Sequence, residues 1–180
     1  MLKYISIYIY MIYQLDNFLT DEECDTYIES INNTTNNVPF TDHGHFTNNK
    51  WTDELLAQKL YNRLVTYGIN DNILRPNKLI MSGKYDVGDC FCLHTDTGLY
   101  YNKQANEETR WTLLIYLNDD FVGGETIFYD DEWNETNTII PVKRKALLFD
   151  IDIWHKANEI ISGSKYWIGC EIIGNIVRKN

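Results

Sequence analysis

A mainly β domain, with a two-sheet core of jelly-roll type buttressed by N-terminal helices, is the fold class this 180-residue chain predicts. Three observations carry the expectation. Two stretches with helical signals lie before Pro76, and about eight short apolar or alternating runs follow it. Turn-rich pieces separate those runs, among them Asp86-Val87-Gly88-Asp89, Asn118-Asp119-Asp120 and Ser162-Gly163-Ser164. The length suits one domain with a sizeable core, residues 1–76 supplying the N-terminal strand and helices and 77–180 the jelly roll.

Taken in order, Met1 to Tyr13 is apolar, but it carries a lysine and several tyrosines and no small-residue cleavage site. It is too short to span a bilayer and reads as an edge strand. Thr20-Asp21-Glu22-Glu23 is a capping box that opens a helix to about Ser30. Asn32 to Asn49 is rich in Asn, Thr and Gly and reads as a loop. A second helix is expected from about Thr52 to Tyr67, where Leu56, Leu60 and Leu64 recur at four-residue spacing before Gly68. Strands are expected at Lys78–Tyr85, Phe91–Asp96, Trp111–Asn118, Glu125–Phe128, Thr138–Val142, Ala146–Phe149, Ile153–Ala157 and Tyr166–Ile173.

Composition narrows the function. Hydrophobic residues at 44% and aromatics at 14% indicate a globular chain rather than a disordered one. A net charge of −10 argues against nucleic acid as a partner, because phosphate tracking needs fields of Lys and Arg. It also disfavours anionic membranes and weakly favours cationic partners. Cys24, Cys90, Cys92 and Cys170 fit no zinc spacing, and Cys90 and Cys92, two apart on one strand, are poorly placed to bond each other. A cytoplasmic or other reducing compartment is the expectation.

The chemistry lies in His94-Thr95-Asp96, with His155 and Lys165 further on. Residues i and i+2 of a strand share a face, so His94 and Asp96 would offer a nitrogen and an oxygen ligand side by side. With His155 they make the two-histidine, one-carboxylate triad of non-haem Fe(II), which leaves positions for a bidentate 2-oxo acid and dioxygen. His-x-Asp by itself is common. Its place between Gly-punctuated turns, the histidine in a later strand and the lysine ten residues beyond give it weight. Lys165 precedes the apolar Tyr166-Trp167-Ile168, which would draw its stem inward towards a dicarboxylate, and Tyr85 and Thr112 could add hydroxyl hydrogen bonds. Elsewhere, His43 and His45 read as loop histidines rather than a second metal pair. Asp150 and Asp152 are either orienters of His155 or solvated acids. Tyr100, Tyr101 and Trp133 are either groove or rim.

Residues 85–96, Tyr85-Asp86-Val87-Gly88-Asp89-Cys90-Phe91-Cys92-Leu93-His94-Thr95-Asp96, resemble the prolyl 4-hydroxylase pattern Y-x-x-G-x-x-F-x-x-H-x-D at every defined position. Thr112 to Asn118 resembles that family's T-x-L-x-Y-L strand, and Gly123-Gly124-Glu125-Thr126 with Phe128 resembles its G-G-E-T-x-F turn. Pro141 to Phe149 is similar to its P-x-x-G-x-A-L-x-F segment. His155 followed by Gly163-Ser164-Lys165-Tyr166-Trp167 resembles its ending, and Leu15 to Cys24 its opening helix. The likeness spans nearly the whole chain.

The resemblance implies a double-stranded β-helix and an Fe(II)- and 2-oxoglutarate-dependent dioxygenase acting on prolyl residues of a peptide or protein. It implies His94, Asp96 and His155 as iron ligands and Lys165 for the distal carboxylate of 2-oxoglutarate, assisted by Tyr85 and Thr112. Fe(II) and 2-oxoglutarate would be cofactor and co-substrate, with ascorbate as an accessory. Two departures stand out: Arg144 replaces the usual glycine of its turn, and Arg110 lies one residue nearer Thr112 than the family's arginine. Alternatives are the same chemistry on another side chain or a small molecule, and a non-catalytic jelly-roll binding module.

Overall fold

The structure is a computed structural model and describes residues 11–34, 38–39, 44–69, 73–98 and 100–176. Among the described residues two helices, α1 (Asp21–Asn32) and α2 (Glu54–Thr66), accompany fifteen strands. In chain order these are β1 (Ile12–Leu15), β2 (Val38–Pro39), β3 (Gly44–His45), β4 (Thr47–Thr52) and β5 (Ile73–Tyr85). Next come β6 (Cys90–His94), β7 (Tyr101–Asn102), β8 (Glu107–Tyr116), β9 (Val122–Gly123) and β10 (Thr126–Tyr129). The last five are β11 (Glu135–Ile139), β12 (Ala146–Asp150), β13 (Trp154–Ala157), β14 (Ile160–Ser162) and β15 (Lys165–Asn175).

The major sheet has the order β1-β12-β8-β15-β5-β4-β2, with β7 added beside β8. The minor sheet has the order β11-β10-β13-β6-β3, and β14 pairs with β9. All pairings are antiparallel. This is the expected mainly β jelly roll with helices against one sheet.

Alternation along the central strands divides the labour of the major sheet. Leu113 and Ile115 of β8 and Ile168, Cys170 and Ile172 of β15 pack on Leu60 and Leu64 of α2 and Ile31 of α1. The intervening residues, Thr112 and Leu114 on β8 and Lys165, Trp167 and Glu171 on β15, line a cavity between the sheets. The helices are tied together by Glu23, whose carboxylate accepts both Arg63 guanidinium nitrogens at 2.7 and 2.8 Å.

The capping box forms as read: Glu23 N–H donates to Thr20 Oγ1, and Glu23 accepts from the Thr20 N–H. The first helix continues two residues beyond Ser30. The second begins at Glu54 rather than Thr52, because Asp53 caps it by accepting from the Leu56 N–H. It ends at Thr66, just before Gly68 at φ +78°.

The Asn32–Asn49 loop is only partly a loop. Thr47–Thr52 forms β4 along Leu79–Lys84 of β5, and the short β2 and β3 extend both sheets. Edge pairing asks for backbone groups rather than apolar side chains, so a polar run is recruited by the exposed flank of a long strand. Beyond the reach of β4, Pro76 sits on β5 where no N–H is needed on that side. The strand expected at Thr138–Val142 lies earlier, at Glu135–Ile139, where it pairs with β10. Met1 to Tyr10, most of the expected N-terminal strand, and His43 lie outside the described residues; Ile12–Leu15 forms an edge strand beside β12. Among the described residues no helix is long and apolar enough to cross a membrane.

Candidate active site

His94 ends β6 and His155 lies on the neighbouring β13, where the two are cross-strand partners with ring centroids 4.2 Å apart. Strand β6 stops at His94, so Asp96 reaches the site from beyond the strand and not by strand alternation as expected. The Asp96 N–H donates to the carbonyl of Ile151 at 3.2 Å, which fixes the turn that swings its carboxylate back. Asp96 Oδ1 lies 3.5 Å from His94 Nε2 and 3.9 Å from His155 Nε2. One ligand atom from each residue falls within 4.8 Å of the others.

Each imidazole is oriented by a carbonyl two residues earlier. His94 Nδ1 lies 2.7 Å from Cys92 O, and His155 Nδ1 lies 3.0 Å from Ile153 O. With Nδ1–H donated to those carbonyls, both Nε2 lone pairs face Asp96. Phe91 stacks on His94 at 3.7 Å, and Phe128 and Phe149 flank His155. Burial holds the His155 imidazole below its ordinary value against the pull of Asp96, so it is neutral and ready to act as a ligand. Burial pushes the Asp96 carboxyl up, but His155, His94 and the Thr112 hydroxyl outweigh it and hold the group at about 2. Thr112 Oγ1 donates to Asp96 Oδ2 at 2.5 Å. Two imidazoles with their Nε2 atoms turned to an ionised carboxylate on one side of a cavity fit Fe(II) as a facial triad.

Lys165 opens β15, directly across from Tyr85 on β5. It is only 2% exposed, and its Nζ donates to the carbonyl of Gly124 at 2.7 Å. The ammonium also lies 5.4 Å from the Tyr85 ring centre and 5.3 Å from that of Tyr116. Burial lowers it to about 7 against the pull of Glu125. Tyr85 is raised well above its ordinary value by burial, so its phenol stays a hydrogen-bond donor. The Gly123-Gly124 turn is needed to deliver that carbonyl: both residues have positive φ, and a Cβ on Gly123 would meet Glu159 O at 2.2 Å.

The triad, Lys165, Tyr85 and Thr112 all line one cavity of about 300 Å³. Sequence reasoning did not single out several of its other parts. Phe46, Met81 and Trp167 form walls, Asn48 and Lys50 come from the unexpected β4, and Glu171 lies on the inner face of β15. Glu171 was detectable, since six residues beyond Lys165 returns to the same strand face; the carbonyls of Cys92, Ile153 and Gly124 carry no sequence signal. Asp150 is drawn to the Met11 N–H and towards Arg110 rather than to the His155 ring nitrogens described above. Arg110 is turned to Glu108 and Asp150 and over the Trp111 ring. Arg144 keeps the left-handed turn that glycine would favour, at φ +72°. All four cysteines are free.

A jelly roll holding two histidines and a carboxylate beside a buried lysine defines a class: non-haem metal oxygenases that use a dicarboxylate co-substrate. The family model of the 2OG-Fe(II) oxygenase superfamily matches residues 80–170, just over half of the chain, and the chain belongs to that superfamily. Fe(II) and 2-oxoglutarate are accordingly its cofactor and co-substrate. No curated protein matches the chain. Among solved structures, a Pseudomonas putida prolyl-4-hydroxylase is 11% identical with a TM-score of 0.69, covering 93% of this chain and 94% of that one. The viral collagen prolyl hydroxylase of Paramecium bursaria Chlorella virus-1, in complex with 2-oxoglutarate, is 16% identical with a TM-score of 0.65, covering 91% and 96%. A Trichoplax adhaerens prolyl hydroxylase bound to a hypoxia-inducible-factor peptide is 16% identical with a TM-score of 0.61, covering 91% and 82%.

Proposed function

We propose that this oxygenase hydroxylates a prolyl residue in a peptide or protein. The observation that carries the reading is the convergence of His94, Asp96 and His155 with Lys165 on one aromatic-walled cavity. The prolyl hydroxylases to which the fold is similar, one of them holding a peptide, support the choice of target.

In this reading His94 and His155 ligate Fe(II) through Nε2 and Asp96 through Oδ1. Iron held there would supply the chemistry by which dioxygen is split between 2-oxoglutarate, decarboxylated to succinate and carbon dioxide, and a C–H bond that becomes C–OH. The Cys92 and Ile153 carbonyls hold the imidazole planes, and Thr112 holds the plane of the carboxylate. Lys165 takes the distal carboxylate of 2-oxoglutarate, with the Tyr85 phenol beside it. Phe46, Phe91 and Trp167 keep water from the reacting carbon and offer an apolar surface to a pyrrolidine ring.

The test is succinate formation by the full chain with Fe(II), ascorbate and 2-oxoglutarate, with and without proline-rich peptides, followed by mass spectrometry of the peptide. Peptide-stimulated turnover with one added oxygen on proline is expected. Slow turnover that no proline peptide stimulates would reject the prolyl target.

A further inference from the structure

The tip of the β10–β11 hairpin carries an aromatic surface that the reaction as described does not use. Trp133 is 57% exposed, and its ring centre lies 4.9 Å from that of Trp154 at an interplanar angle of 52°. Both indoles stand at the triad's end of the minor sheet. Along β13, His155 pairs with His94 and with Phe128, and one step before it Trp154 pairs with Tyr129, where the hairpin turn begins. That is also the end at which Asp96 and Thr97 line the cavity. Strand alternation turns Trp154 away from the cavity that His155 faces, so the pair lies on the outer side of the lip.

The turn holds its tryptophan out deliberately. Trp133 has a left-handed backbone, φ +68°, which bulky side chains rarely adopt, and the turn around Asp130 imposes it. Asp130 Oδ1 accepts from the Glu132 and Asn134 N–H groups, each at 2.9 Å, and the Trp133 N–H donates to the Asp130 carbonyl at 3.1 Å. Hydrogen bonds from the Asn134 backbone and side chain hold the Asp130 carboxyl below its ordinary value, so it is ionised at neutral pH. Glu132, beside Trp133, is exposed. The tip therefore joins two aromatic faces to acidic residues, the combination that suits a cation. The chain makes such a contact itself: Lys156 Nζ lies 5.6 Å from the ring centre of Tyr129, whose hydroxyl donates to Glu135. Among the described residues no cation stands over Trp133 or Trp154.

We propose that Trp133 and Trp154, with the acidic tip beside them, dock an arginine guanidinium of the peptide substrate, about three to five residues from the hydroxylated proline. This rests on the cavity being the prolyl hydroxylase site. The spacing follows from the fold. One strand step of about 3.3 Å separates Trp154 from His155, and the side-chain layers on the two faces of a sheet add roughly 5 Å each, a path that about four extended residues cover. Arginine is favoured because its planar guanidinium stacks on an indole face while its N–H groups stay free for carboxylates. The net charge of −10 draws such cationic segments to the surface.

Calorimetry on the full chain with Fe(II) and 2-oxoglutarate, kept free of dioxygen to prevent turnover, tests it. The probes are capped peptides with a single proline. Each carries arginine or citrulline, its uncharged isostere, at one position from about two to six residues to either side of the proline. At one position, or two neighbouring ones, arginine binds about 3- to 30-fold tighter than citrulline, the range of a cation on an exposed to a desolvated aromatic face. Trp133→Gly, which suits the left-handed backbone, brings that ratio to within about twofold, and Trp133→Tyr, which keeps a ring, restores part of it. Equal binding of arginine and citrulline at every position by the unaltered protein overturns the proposal, as does a preference that survives in Trp133→Gly. The comparison in the unaltered protein stands even where a variant fails to fold. Hydroxylation of the same probes in air separates the two readings. An arginine preference on peptides whose proline is left unaltered strikes the prolyl target alone, and proline hydroxylated with no arginine preference strikes the dock alone.

Discussion

Replacing Lys165 with Met should make the protein more stable while depriving it of 2-oxoglutarate. Burial lowers the lysine from its ordinary 10.5 to about 7, and each pKa unit corresponds to about 1.4 kcal/mol. Below pH 7 the group is charged in both folded and unfolded chains, so the full cost of carrying it into the fold, about 5 kcal/mol, is present there. Between pH 7 and 10.5 the unfolded chain binds more protons than the folded one, so this group's contribution becomes less unfavourable as pH rises. Methionine removes the cost but also the bond to the Gly124 carbonyl, worth about 1–3 kcal/mol when its partner is left buried. A net gain of about 2–4 kcal/mol, or roughly 4–16 °C in Tm for a chain of this size, is expected at pH 6.5 without ligand. The assay is thermal unfolding of both proteins at pH 6.5, 8 and 9.5, with and without 2-oxoglutarate. The gap should shrink with pH, and ligand should raise only the Tm of the unaltered protein. A variant less stable at pH 6.5, or a gap that does not change with pH, would refute the reasoning.

Other expectations follow from the same geometry. Because Lys165 must be protonated to hold a dicarboxylate, the Kd for 2-oxoglutarate should rise above pH 7 by up to about tenfold per pH unit, read by calorimetry in several buffers. A flat profile would remove Lys165 from the binding site. His155→Ala or Asp96→Ala should abolish iron-dependent succinate formation, and full activity in either would sink the ligand assignment. Thr112→Val leaves the triad but removes the bond to Asp96 Oδ2, and should weaken Fe(II) or Co(II) binding by about 10- to 100-fold in a spectroscopic titration. Arg144→Gly relieves a left-handed residue at about 1 kcal/mol and forfeits exposed contacts to Asp21 and Asn17, worth less. The urea midpoint should hold or rise, and a loss above about 1 kcal/mol would show that those contacts govern the turn.

What could be read in the chain was what depends on residue type. The Thr20 box, the apolar stripe at Leu60 and Leu64, and the residues that converge as His94, Asp96, His155 and Lys165 all carry a side-chain signature. What could not be read depends on position. Strand β4 is polar because, near the margin of the sheet with only the two-residue β2 beyond it, it is chosen by the free flank of β5 and not by its own hydrophobicity. Asp96 leaves the strand that alternation assigned it, because the pairing partner of β6 runs out at His94 and the Ile151 carbonyl takes over. Arg144 shows the converse: the backbone keeps the shape a glycine would favour although the residue type has changed, with its N–H and carbonyl engaged by Tyr116 and Phe18. Glu171 falls between these cases. Its spacing from Lys165 is legible, but its place in the cavity needs the register that sets it opposite Thr112.

The two faces of the major sheet make opposite demands, and the fold meets both by alternation. On the outer face Leu113, Ile115, Ile168 and Ile172 bury against the helices, each contributing about 1.5–3 kcal/mol of apolar burial. On the inner face of the same strands Lys165 and Glu171 are buried, and the lysine is held out of water at a cost of several kcal/mol for its charge. Lys165 and Ile168, or Glu171 and Ile172, are too close in sequence to fold independently, so the helix-packed residues impose the positions of the buried polar groups. A weakened outer face should therefore appear in the site before it appears as unfolding. Leu60→Ala, which empties space beneath β15, should cost about 2–5 kcal/mol. Under conditions where that variant is still folded, its affinity for 2-oxoglutarate should already fall. Unchanged affinity in a folded but destabilised Leu60→Ala would show that β15 holds its inner face without help from the helices.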